Sequence, residues 1–113
     1  MNDISFDFRN GVMQNFKAAT GGSCFEETMQ PYTGPKQMFG TISIGLNPAL
    51  RVLEEGSAGY RPEAAAGIVW VGLGNNRFFG GTNNTLGQFS FPITNATVTI
   101  DGKTVIRDGK LLL

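Results

Sequence analysis

Ile4, Phe6 and Phe8 alternate with Ser5, Asp7 and Arg9, the period of a strand with one buried face. Asn10-Gly11 then offers two residues that tolerate positive φ, as a type I′ turn requires, and Val12, Gln14 and Phe16 open a return strand. Residues 4–18 thus predict a β-hairpin, ended by Thr20-Gly21-Gly22. Ser23-Cys24-Phe25-Glu26 has the spacing of a capping box. It makes Ser23 the N-cap of a helix from Cys24 to Gln30, closed by Pro31 and Gly34-Pro35. Met38, Ile42, Ile44 and Leu46 suggest a strand interrupted by Gly40. Asn47-Pro48 reads as N-cap and first residue of a second short helix, Ala49 to Glu55, before a loop over 56–66.

Ile68 to Leu73 is apolar on both faces and predicts a central strand. Gly74 to Gly87 is rich in Asn and Gly and too long for an inert hairpin turn, which points to a functional loop. The C-terminus reads as a meander. Thr97 to Ile100 turns at Asp101-Gly102 into Thr104 to Ile106, and Asp108-Gly109 turns again into Lys110 to Leu113. The sum is one mostly-β domain over 1–113, a β-rich α+β chain forming a small barrel or sandwich of about seven strands with two short helices.

Composition narrows the chemistry. The 113 residues include no histidine, so imidazole bases, Ser-His-Asp and Cys-His nucleophiles and His-ligated metals are excluded from this chain. One cysteine, Cys24, rules out an internal disulfide framework and Cys-rich metal sites. Nine basic residues balance nine acidic ones, which argues against nucleic acid or an anionic membrane as main partner. The longest charge-free apolar stretch, Ala64 to Gly74, is too short to span about 30 Å of hydrocarbon. The N-terminus lacks the basic start and apolar run of a signal peptide, so a cytoplasmic location is expected.

Motifs for known chemistry are incomplete. Gly72-Leu73-Gly74 begins like a dinucleotide fingerprint, but Arg77 stands where its third glycine belongs; Gly80-Gly81-Thr82 resembles a phosphate loop without its lysine. Glu26-Glu27 and Glu54-Glu55 are helix neighbours pointing about 100° apart, so neither pair converges on one atom. Aromatic residues stand out more. Nine Phe, one Trp and two Tyr exceed the packing needs of short strands, and Arg77-Phe78-Phe79 and Gln88-Phe89-Ser90-Phe91 flank the long loop. Each Phe either anchors its own loop to the core or helps to grip an extended peptide or another subunit.

The order of Gly11-Val12, Gly40, Leu46-Asn47-Pro48, Ile68 to Gly74, Phe79-Gly80-Gly81 and the meander from Val98 to Lys110 resembles the C-terminal part of the thermophilic metallo-aminopeptidase family, of the aminopeptidase T and S type. The resemblance implies metal ligands at positions where this chain carries Thr41, Trp70 and Gln88-Phe89-Ser90, none a tight divalent-metal ligand. It therefore implies the scaffold without the reaction: a non-enzymatic homologue with no metal and no cofactor.

From that resemblance follow two expectations. One is a peptide-binding protein that presents an extended or precursor peptide to modifying enzymes, as in peptide natural-product biosynthesis. The other is an assembly subunit, a homodimer or a heterodimer with a similar chain, in a peptidase-like complex. A third, an enzyme using Tyr60 or Cys24 as nucleophile, has no accompanying base in the sequence. The peptide site would lie beside Trp70 and under the long loop. There Arg77 would pair with a carboxylate, and Asn75, Asn76 and Gln88 would bond the peptide main chain. Phe78 and Phe79, read as successive strand residues, would be split between core and groove.

Overall fold

A computed structural model of the chain describes residues 1–50 and 64–113. It contains β1 (Ser5–Arg9), β2 (Val12–Lys17), α1 (Gly22–Met29), β3 (Phe39–Ile44) and β4 (Val69–Gly74). A 3-10 turn at Arg77–Phe79 follows, then β5 (Gln88–Ile93), β6 (Val98–Ile100), β7 (Lys103–Arg107) and β8 (Lys110–Leu111). The strands form three sheets, ordered β1-β2, β3-β4-β5 and β6-β7-β8. The mostly-β expectation holds. The second predicted helix, Ala49 to Glu55, falls largely outside the described residues, as does Tyr60; Asn47 Oδ1 accepts the Ala49 amide at 2.9 Å at its predicted start. Among the described residues no helix is long and apolar enough to cross a membrane.

The chain divides into two compact units, Met1–Thr41 with Gly72–Ser90, and Ile42–Val71 with Phe91–Leu113. In the first, Asn10 and Gly11 take φ of 51° and 77°, the type I′ turn that closes β1 on β2. Register runs Arg9↔Val12, Phe8↔Met13 and Asp7↔Gln14, then slips before Ser5↔Lys17. Asn15, at φ 55°, sits in the slip and donates from Nδ2 to Asp7 Oδ2 at 3.0 Å. Unbroken alternation would turn Phe16 away from the face of Met13. The bulge lets Met13 be buried while Phe16 meets Phe25, ring centres 4.4 Å apart.

The capping-box expectation is corrected. Gly21, in the left-handed region, is the N-cap of α1, and no side chain caps the helix. Gly21 turns the chain two residues before Ser23 can, so Ser23 and Cys24 lie inside the first turn. The helix buries Phe25 and Met29, and Phe25 also packs edge-on against Phe89 at 4.9 Å. Phe8 bridges Phe6 and Phe39 at 5.6 and 5.2 Å.

In the second unit the expected meander is present. Both of its tight turns carry an Asp-Gly pair with positive φ, Asp101-Gly102 and Asp108-Gly109. A register shift between Val98 and Thr99 accompanies two consecutive buried residues on β7, Val105 and Ile106.

Candidate functional site

The long loop after β4 is framed by its own amides. Asn75 Nδ2 donates to the Thr85 carbonyl at 2.9 Å, and Asn75 Oδ1 accepts the Arg77 amide at 3.1 Å. Asn76 Nδ2 donates to the Gly40 carbonyl at 3.0 Å while its Oδ1 accepts the Asn83 amide at 2.9 Å. Asn83, buried, donates from Nδ2 to the Phe39 carbonyl at 2.9 Å, and the Thr85 hydroxyl bonds the Gly87 carbonyl. A run of backbone with few partners of its own is thus tied to β3 by side chains. Asn75 and Asn76, expected to bond a peptide, spend their amides on the loop and on β3.

Phe78 and Phe79 are both exposed, at 93% and 66%, and meet each other edge-on at 5.3 Å. The expected split between core and groove fails because they lie on a 3-10 turn. Successive residues there point about 120° apart rather than to opposite faces. Arg77 is exposed at the start of that turn. Trp70 is half-buried and belongs to the second unit.

Three polar side chains of the first unit do converge. Gly72, buried at the middle strand of β3-β4-β5, has no side chain, and its neighbours close over it. A Cβ placed on Gly72 would lie 2.5 Å from Thr41 Oγ1, 2.9 Å from Gln88 Nε2 and 3.6 Å from Ser90 Oγ. Gln88 Nε2 donates to Thr41 Oγ1 at 3.4 Å, a long and weak bond across 47 residues of sequence. Gln88 and Ser90 are two apart on β5 and so share a face. Gln88 is exposed; Thr41 and Ser90 are half-buried. Among the described residues, neither Gln88 Oε1 nor Ser90 Oγ has a hydrogen-bond partner, so the row keeps an acceptor, a hydroxyl and a spare amide N–H available.

Of the residues expected to form a site, the structure brings only Gln88 into this row; Thr41 and Ser90 appeared in the sequence only as unsuitable metal ligands, and Gly72 only as a fingerprint glycine. The available signal was the spacing of Gln88-x-Ser90 on a strand whose other face carries Phe89 and Phe91. The row is neutral. Among the described residues no three His, Cys, Asp or Glu side chains gather where they could hold a metal ion.

Comparison with known proteins corrects the expected lineage. Residues 3–113 match the family NicX, described as 2,5-dihydroxypyridine 5,6-dioxygenase. No curated protein and no solved structure matches the chain. The aminopeptidase resemblance is overturned, and with it the non-enzymatic peptide-binding protein, the role in peptide natural-product biosynthesis and the peptidase-like assembly subunit. The resemblance rested on turn glycines and a meander, features that set where a β chain bends and carry no reacting group. With nearly the whole length matched, the chain belongs to the NicX, 2,5-dihydroxypyridine 5,6-dioxygenase, family.

Proposed function

We propose that the protein acts in the oxidative opening of a hydroxylated pyridine ring, and that the Thr41–Gln88–Ser90 row binds and orients that ring. The observation that carries this reading is the family match over residues 3–113. Cleavage between ring atoms 5 and 6 by a dioxygenase places both atoms of O2 on the two carbons whose bond is broken. The four electrons taken up by O2 come from the ring, so no external reductant is needed. The protein's tasks are then to hold a flat, polar, uncharged ring and to bring oxygen to it in a fixed orientation.

Triplet oxygen reacts slowly with closed-shell organic molecules. Ring-cleaving enzymes commonly meet this with iron held by two histidines and a carboxylate. That donor set does not fit this chain, which has no histidine. Thr41, Gln88 and Ser90 are neutral donors that hold a divalent ion poorly. Oxygen activation is thus not assigned to this row; its part is binding and orientation. Neutral hydrogen-bonding groups suit an uncharged ring with polar edges better than they suit a cation or a phosphate.

Anaerobic calorimetry with 2,5-dihydroxypyridine tests the reading, with an oxygen electrode following the same mixture once air is admitted, with and without ferrous iron. Saturable binding to one site is the expected result. Absence of binding at millimolar ring concentration, together with no oxygen uptake under either condition, would overturn it.

A further inference from the structure

Resting on that proposal, we infer that Gln88 reads the lactam edge of the ring and so selects hydroxylated pyridones over carbocyclic rings of the same shape. A pyridine with a hydroxyl at position 2 exists in water largely as the pyridone, which carries an N–H donor beside a C=O acceptor. A primary amide is the complement of that edge: its oxygen accepts the ring N–H while its N–H donates to the ring carbonyl. Gln88 is the one primary amide in the row, and it is exposed. Among the described residues the Gln88 side-chain oxygen has no partner, and its side-chain NH2 makes one bond, the 3.4 Å contact to Thr41 Oγ1.

Its bonding and its surroundings make Gln88 rather than the loop asparagines the reader. The amides of Asn75, Asn76 and Asn83 are engaged with backbone groups at 2.9–3.1 Å and would have to break those bonds to serve a ligand. Gln88 gives up only a long bond, and it has one more methylene with which to adjust. Gln88 Nε2 and Thr41 Oγ1 close over Gly72, so a ring would meet the exposed outer edge of the Gln88 amide and not the strand beneath it. Ser90 Oγ, on the same face of β5, is placed to bond a second ring substituent.

Hydroquinone is the discriminating probe, because it presents two para hydroxyls as 2,5-dihydroxypyridine does but has no lactam. Binding of both rings is measured anaerobically by calorimetry for the unaltered protein, Gln88→Leu and Gln88→Glu. The unaltered protein is expected to prefer 2,5-dihydroxypyridine about tenfold or more, the worth of one to two hydrogen bonds. In Gln88→Leu the preference is expected to fall to within about twofold while hydroquinone binding persists, which also shows that the site still folds. Gln88→Glu keeps an acceptor and loses the donor, so it is expected to weaken pyridone binding without restoring the preference. An unchanged preference in Gln88→Leu would overturn the assignment of Gln88 alone. Failure of the unaltered protein to bind either ring would overturn both the assignment and the ring-binding proposal.

Discussion

The first unit uses the same functional group in two opposite ways. Around the loop, the carboxamides of Asn75, Asn76 and Asn83 are turned inward onto main-chain carbonyls of the loop and of β3. On β5, the carboxamide of Gln88 lies exposed on the sheet face with one weak bond. An amide whose bonds are already made is structure; an amide with bonds to give is a candidate for recognition. Residue type alone does not separate the two cases, and the separation comes from which backbone groups lie within reach.

The contrast breaks most readily at Asn83. Its side chain is buried and satisfies the Phe39 carbonyl, so Asn83→Ala leaves that acceptor unpaired and opens a small void. A loss of about 2 kcal/mol is expected, seen as a fall of roughly 10 °C in thermal midpoint by circular dichroism. A loss below about 0.5 kcal/mol would show that the loop is held by something else.

Gly72→Ala sharpens the comparison from the other side. The new methyl would press Thr41 Oγ1 and Gln88 Nε2 apart, at a cost of about 1 kcal/mol in stability, because both contacts are side-chain ends that can rotate away. Ring binding is expected to fall at least tenfold by calorimetry, since Gln88 and Thr41 are pushed from their places over the glycine. Gln88→Leu has the smallest structural effect. Stability is expected to stay within about 0.5 kcal/mol of the original in urea unfolding, as for most exposed positions.

Much of the scaffold was legible in the sequence for local reasons. Asn10-Gly11, Asp101-Gly102 and Asp108-Gly109 each place two residues at positive φ, and that alone specifies a hairpin turn. The bulge at Asn15 was not legible, because it depends on Phe16 finding Phe25 across the unit. Ser23 had the right spacing for a cap, but Gly21 turned the chain first. Gln88 was legible as a polar candidate. Its partners were not, since Thr41 lies 47 residues away and reaches it across β4 where Gly72 has no side chain. Lineage was misread for a related reason: turn residues report the path of the backbone, and several chemistries can be mounted on one path.

The most direct test follows the side-chain NH2 signals of these amides by two-dimensional 15N NMR during an anaerobic titration with 2,5-dihydroxypyridine. The Gln88 side-chain pair is expected to move steadily to saturation, with the Thr41 and Ser90 backbone signals moving alongside it, while the pairs of Asn76 and Asn83 stay in place. Movement of the asparagine pairs with Gln88 unmoved, or no movement at any of these residues, would contradict the assignment of the Thr41–Gln88–Ser90 row as the ring site.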